Sequence, residues 1–176
     1  MHIRERGRLL SLSGVSAVAN LPASIAERQR NSAISRLEGF GFLFPPGVSP
    51  DIELREVPSI GTGTFVFLLA SYEGAQCGFS SLGERGKKAE SVGAEAAEEF
   101  LAHHHCEDAQ NAALDPHMAD QLSLYFALSG TESSFTTSRI TEHLLTNLWV
   151  ISRFFGEFNY RVTGEKGKPG MVEMAF

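Results

Sequence analysis

Ala89, Val92, Ala96, Ala97, Phe100 and Leu101 recur at intervals of three and four residues, while Glu90, Glu95, Glu98 and Glu99 fill positions between them. That period gathers the apolar residues on one face of a helix, so residues 84–104 are expected to form an amphipathic helix. Most of such a helix's stability comes from packing its apolar face, so the rest of the chain has to supply a surface for it. Residues 52–57 and 64–72 are strand-like runs separated by Pro58-Ser59-Ile60-Gly61-Thr62-Gly63, and together they predict a β-meander continuing to Gly78. Upstream, residues 9–19 alternate imperfectly between apolar and small or polar types, as a strand does. Asn20-Leu21-Pro22 then reads as a cap followed by an early helical proline, leading into a helix over residues 23–37 with Ile25, Ala26, Ala33, Ile34 and Leu37 as its stripe. Glycines and prolines break regular structure from residue 39 to residue 50.

The small, polar run 107–113 reads as a linker. Beyond it, Asp115-Pro116 is a strong helix start, an oxygen-bearing cap followed by proline at the first position. Met118, Leu122, Tyr125 and Phe126 are expected on the inner face of that helix, with Gly130 as its stop. A polar loop and short strand over residues 131–137 lead to another helix from about residue 138, where Ile140, Leu144, Leu148, Ile151 and Phe155 recur at helical spacing. Residues 158–162 and 171–176 read as a terminal hairpin around residues 164–170. The order β-α-β-β-β-α, linker, α-β-α-β-β fits an α+β architecture with helices packed on sheets.

With 176 residues, 43% hydrophobic and 20% charged, the chain has the composition of a soluble globular protein of one large or two small domains. No apolar run approaches the roughly 20 residues that span a bilayer, so no membrane partner is expected. Arg4, Arg6 and Arg8 are not followed by an apolar region and a small-residue cleavage site, so no secretory leader is expected. Cys77 and Cys106 form no framework pattern, and a reducing cytoplasm is the expected compartment. The net charge of −6 argues against a protein that coats nucleic acid through bulk electrostatics, yet leaves recognition of a single RNA end open. Basic residues do cluster locally, at Arg4, Arg6 and Arg8, at Arg28, Arg30 and Arg36, and at Arg85, Lys87 and Lys88; solvated surface is the plain reading of each.

Two helical segments carry side chains suited to chemistry. His117, Asp120 and Gln121 stand at i, i+3 and i+4 and share a helix face. They suit either a surface that holds a base by stacking and hydrogen bonds or an ordinary wet face. His143, Thr146 and Asn147 share a face in the same way, and His143 falls in the first turn or two of its helix. There the helix dipole and free N–H groups favour anions and a neutral, nucleophilic imidazole, which suits attack on phosphorus; a capping or packing histidine fits the position as well. His103-His104-His105-Cys106 resembles a metal cluster only in composition, because successive helical residues point about 100° apart. Gly61-Thr62-Gly63-Thr64 lacks the GxxxxGK[ST] pattern and precedes a strand, so it reads as a tight turn. Leu82-Gly83-Glu84-Arg85-Gly86-Lys87 reads as a charged loop entering the long helix.

Taken in order, these segments resemble the RNA 3'-terminal phosphate cyclase family. The matching stretches are Ser81-Leu82-Gly83-Glu84-Arg85-Gly86-Lys87-Lys88-Ala89-Glu90, His117-Met118-Ala119-Asp120-Gln121-Leu122, Ala127-Leu128-Ser129-Gly130 and Thr141-Glu142-His143-Leu144-Leu145-Thr146-Asn147. Val18-Ala19-Asn20-Leu21-Pro22 and Ile25-Ala26-Glu27-Arg28 also fit, so the resemblance covers nearly the whole chain. It implies a small inserted α/β-type domain up to about residue 108, followed over residues 109–176 by one β-α-β repeat unit of the catalytic domain. It further implies that His143 attacks the α-phosphate of ATP to give a histidine-AMP phosphoramidate and pyrophosphate, helped by a divalent metal (Mg or Mn). AMP then passes to an RNA 3'-phosphate end, and the vicinal 2'-hydroxyl displaces it to leave a 2',3'-cyclic phosphate. His117, Met118, Ala119, Asp120 and Gln121 are implied to line the adenylate pocket. Family members are about twice this long, so an N-terminal half carrying further contacts to metal and ATP is the implied partner. The alternative is a noncatalytic cyclase-like RNA-processing or ribosome-assembly factor, from which the nucleophile would be absent. An interaction module built on residues 1–108 is a third reading.

Overall fold

The computed structural model describes residues 1–39, 44–105 and 111–176. It contains eight strands and four helices in the order β1 (His2–Ile3), β2 (Leu9–Ala19), α1 (Ala23–Gly39), β3 (Pro50–Glu56), β4 (Gly63–Tyr72), β5 (Gln76–Leu82), α2 (Ala89–His104), α3 (Pro116–Leu128), β6 (Ser133–Thr137), α4 (Glu142–Phe154), β7 (Asn159–Gly164) and β8 (Gly170–Ala175). The architecture is α+β, with two four-stranded sheets ordered β3-β2-β4-β5 and β1-β6-β8-β7. Two compact units result. One comprises Leu9–Ser71 and Gly78–His104; the other comprises Met1–Arg8, Tyr72–Cys77 and His105–Phe176.

In the first unit, β2 pairs in parallel with β3, Leu12 opposite Pro50 and Val18 opposite Glu56, and α1 makes the crossover between them. The expected meander is corrected here. β3 lies on the far side of β2 from β4, because a helical crossover returns the chain parallel to the strand it left, whereas a meander needs hairpin turns. Along β4 burial alternates, with Val66, Leu68 and Ala70 buried between half-buried neighbours. α2 buries Val92, Ala96, Ala97 and Phe100, and the Phe100 ring meets Phe79 of β5 edge-on at 5.7 Å. α1 and α2 approach so closely that a Cβ on Gly93 would lie 2.0 Å from the Gln29 carbonyl oxygen, so only glycine fits there.

The starts of both helices differ from expectation. Residues 84–88 are a loop, not helix: Gly86 has φ +88°, which the helix excludes, and the Lys87 N–H closes a turn onto Glu84 O at 3.1 Å. Pro22 immediately precedes α1, and Asn20 does not cap it. Asn20 adopts φ +53° and its side-chain amide donates to the carbonyls of Ser59 and Gly61, each at 2.9 Å, which fixes the turn before β4.

In the second unit, β1 runs parallel to β6, while β6 and β7 each pair antiparallel with β8. β7 and β8 are the expected hairpin, closing with Gly164 opposite Gly170. Ala113, Leu114, Ala119, Phe126, Phe135, Leu144, Leu148, Ile151, Phe158, Val172 and Met174 make its core. Tyr125, expected inside, is 67% exposed, and Ala119, Ser123, Phe126 and Ala127 form the inner face of α3 instead. Nor are residues 111–113 a solvated linker: Ala112 and Ala113 are buried and Leu114 bridges to Thr137. Positions 107–110 of the expected linker lie outside the described residues. Burial, with the charge of Asp115 adding to it, pushes the Cys77 thiol in this unit up to about 12.

Candidate functional site

α3 begins as its sequence demands. The Asp115 carboxylate accepts from Met118 N at 2.9 Å, and Pro116 occupies the first turn, where no intrahelical N–H is needed. On this helix His117 and Gln121 are exposed, Asp120 and Met118 are half-buried, and Ala119 is fully buried in the core. The face with His117, Asp120 and Gln121 thus reaches solvent, while Ala119 faces inward and presents no side chain there.

α4 begins later than residue 138. Its cap is Thr141, whose backbone is extended (φ −92°, ψ 162°) and whose Oγ1 accepts from Leu144 N at 3.0 Å. Ile140 is held in a bridge to Lys166 and cannot join the helix. His143 consequently sits in the first turn, exposed, with Glu142 before it ion-paired to Lys166. The free N–H groups and positive dipole end at this point favour an anion beside the imidazole.

Asp120 connects the two helix motifs. Thr141 Oγ1 donates to Asp120 Oδ1 at 2.6 Å, while Asn147 Nδ2 donates to Asp120 O at 3.1 Å. The threonine hydroxyl is therefore fully used, with its hydrogen on the carboxylate and a lone pair on the helix N–H. A carboxylate from α3 orients the cap of α4, and with it the turn that carries His143. Thr141 is the residue that sequence reasoning passed over as a contributor to the site. The signal was present, since a threonine three positions before Leu144 at the head of an apolar-periodic run is an N-cap signature.

The histidine run does not join this site. His103 is buried against Phe79 at 5.5 Å, and His104 stacks on Phe100 at 5.4 Å. Cys106 lies outside the described residues, and among those described no group of three His, Cys, Asp or Glu side chains could hold a metal ion. No described helix is long and apolar enough to cross a membrane.

Residues 4–105 match the family model for the insert domain of RNA 3'-terminal phosphate cyclase. The chain belongs to the RNA 3'-terminal phosphate cyclase family. A cyclase of that name from Methylococcus capsulatus is 42% identical over 151 residues, covering 86% of this chain and 39% of the relative. Another from Thermococcus gammatolerans is 38% identical over 170 residues, covering 97% of this chain and 46% of the relative. A third, from Staphylothermus marinus, is 36% identical over 180 residues, 99% of this chain and 48% of the relative. The chain thus spans less than half the length of these cyclases, and its similarity to them runs through both helix motifs as well as the insert domain.

Proposed function

We propose that this chain carries the nucleophile and part of the adenylate pocket of an ATP-dependent RNA 3'-terminal phosphate cyclase, with His143 as the residue that becomes adenylylated. The observation that carries this reading is the pair of hydrogen bonds through which Asp120 ties the His117–Gln121 segment to the start of α4. The imidazole nitrogen attacks the α-phosphorus of ATP, the bond to the bridging oxygen breaks, pyrophosphate leaves and the ring gives up its proton to solvent. An oxygen of the RNA 3'-phosphate then takes the AMP from the histidine. Attack by the 2'-hydroxyl expels AMP and leaves the 2',3'-cyclic phosphate. His117 and Gln121, exposed on α3, are the side chains available to stack on and hydrogen-bond the adenine, with Met118 beside them; Ala119 contributes backbone only. A divalent metal, Mg or Mn, supplies neutralisation of the triphosphate. We assign its ligands to the portion of the cyclase that these 176 residues do not span, which is then the partner of this chain, and we place the activity in the cytoplasm.

Residues 1–108 are assigned to the inserted domain and 109–176 to the last catalytic repeat, a division made on the family pattern; compactness groups residues 1–8 and 72–77 with the later part. An exposed histidine in an anion-favouring helix turn favours the catalytic reading over a noncatalytic RNA-processing factor.

The test is incubation of a reconstituted full-length form with ATP labelled at its α-phosphate. Covalent label is expected on the wild type, stable to alkali and released by acid as a phosphoramidate is, and absent from His143→Ala. Label that persists in His143→Ala overturns the assignment.

A further inference from the structure

In the unit formed by Leu9–Ser71 and Gly78–His104, a cavity of about 500 Å³ opens where the first half of α1, the start of β4 and residues 83–89 meet. Its depth is lined by Leu21, Ile25 and Val92, and its wall includes the side chain of Gln29, which is 0% exposed. Gln29 is the anomaly. Its Oε1 lies 3.0 Å from Ser16 Oγ and 2.9 Å from Thr64 Oγ1, and its Nε2 has no partner. Those hydroxyls also lie 2.9 Å from Ala26 O and 2.7 Å from Ala17 O, and each has a single hydrogen to give. Turning the amide over lets its NH2 donate to both hydroxyl oxygens, which then donate to the two carbonyls. In either orientation the two hydroxyls engage one end of the amide and leave the other, at the Nε2 position, without them. Leaving a buried polar end unpaired is costly, so an unpaired one beside a cavity points to a ligand atom.

The rim has the opposite character. Arg28, Lys87, Arg85 and Lys88 surround it, and the N-terminus of α2 opens at Ala89. Two of these cations are spent: Arg28 makes a two-pronged pair with Glu90, and the three N–H bonds of Lys87 go to Ser81 Oγ, Leu82 O and Glu95. Arg85 and Lys88 are exposed and form no ion pair or side-chain hydrogen bond among the described residues, and Lys88 acts on Glu90 through its field alone. Glu84 is the opposing charge on the rim, so with the paired groups cancelled the rim keeps one net positive charge. Free cations and a helix N-terminus select an anion, and phosphate in particular. The volume and the apolar depth exceed what a bare phosphate fills and suit a ring attached to one.

We propose that this cavity binds one nucleotide of an RNA strand, its phosphate on Arg85 and Lys88 and its base inward against Leu21, Ile25 and the Gln29 amide. Because both cations are solvent-exposed, the phosphate and its backbone links stay at the surface, where a strand can pass. The choice of RNA rests on the function proposed above; the cavity, the cations and the unpaired amide do not.

The 176-residue chain is titrated into a fluorescent single-stranded RNA that ends in a 3'-hydroxyl, with anisotropy as the readout. Replacing both free cations (Arg85→Ser with Lys88→Ser) is expected to weaken binding by about tenfold and to flatten the slope of log affinity against log salt by about 1.4, at ~0.7 per lost phosphate contact. The charge-matched control, Arg30→Ser with Arg55→Ser, stays within about twofold of wild type. Gln29→Met weakens RNA binding without lowering the melting temperature, because it removes an unpaired polar end. Equal losses in the two double variants, or unchanged binding in Gln29→Met, overturn the site. Displacement of the RNA by orthophosphate as readily as by a mononucleotide also overturns it, since the cavity would then read phosphate alone. Saturable binding of AMP, dependent on Arg85 and Lys88, with no RNA binding at all, overturns the strand and assigns a free nucleotide. His143→Ala is expected to keep full RNA affinity, so loss of adenylylation with intact RNA binding sinks the proposed function and leaves this site standing.

Discussion

Asp120 shows how a residue's role depends on a partner far along the chain. Its spacing with His117 and Gln121 is legible in the sequence, because three and four residues make one helix face. Its hydrogen bond to Thr141 is not, since no local pattern says that the start of α4 comes to rest beside α3. The same limit applies to Gln29, which lies among ordinary helix residues and is buried by strands on either side of it in sequence. Truncating Asp120 leaves the Thr141 hydroxyl without its acceptor, though that hydroxyl can still cap the helix. A hydrogen bond to a charged group contributes about 1.5–3 kcal/mol when buried, and the half-buried site reduces that, so Asp120→Ala is expected to cost about 1–2 kcal/mol in urea unfolding. Thr141→Ala removes the cap as well and is expected to cost about the same, at ~1–2 kcal/mol. Because the two side chains share one bond, the double variant should cost less than the sum by at least about 0.5 kcal/mol. Strict additivity would mean that the carboxylate does not hold the cap.

The helices and strands themselves were largely legible, since both periods rest on local geometry, but their ends and pairings were not. α2 starts at Ala89 because Gly86 turns the chain through positive φ, and a helical stripe carries no information on where such a turn falls. α3 turns Tyr125 outward because Ala119 and Ser123 provide the close approach to the core, and small residues barely register in a hydrophobic pattern. Where α1 meets α2, Arg28 Nε and Nη2 donate to the two oxygens of Glu90 at 2.8 and 2.9 Å. The Arg28 guanidinium holds the Glu90 carboxyl down to about 2, and Lys87 and Ser81 hold that of Glu95 below its ordinary value. Both are depressed in the folded state, so the stability they contribute is complete above the unfolded carboxylate range near 4.5 and is lost as the pH falls through it toward 2. The urea midpoint is therefore expected to fall between pH 5 and pH 2, with a shallower fall in Glu90→Gln. The difference should be modest, because the pair is open to solvent. A variant whose acid limb overlays the wild type would show that Glu90 titrates normally.

The chain as a whole leaves an apolar face that its own core does not use. On α3, Tyr125 and Leu128 are 67% and 60% exposed, and on α4, Trp149 and Phe154 are 53% and 82% exposed, while the opposite sides of both helices are buried. Arg153 lies over the Trp149 ring at 5.3 Å and shields only part of it. Large aromatic side chains gathered on two neighbouring helices are the chemistry of a surface that another protein surface covers. The occupant we assign is the portion of the cyclase outside these 176 residues, given that the chain spans 46% of the Thermococcus gammatolerans relative. Ordering of the triphosphate by groups from that portion matters as much as the nucleophile, since positioning accounts for about 7–11 kcal/mol of a barrier. Purified alone, the 176-residue chain is expected to show no measurable cyclisation of a 3'-phosphorylated RNA, and activity should appear when the remaining portion of a cyclase is added. Phe154→Ser combined with Tyr125→Ser should leave the urea midpoint of the isolated chain nearly unchanged, because exposed substitutions shift stability by about 0.5 kcal/mol or less. The same pair should raise the concentration of the complementing portion needed for half-maximal activity, with the limiting rate preserved. Robust cyclisation by the chain alone, or complementation indifferent to both substitutions, would show that these helices are capped by nothing that the reaction needs.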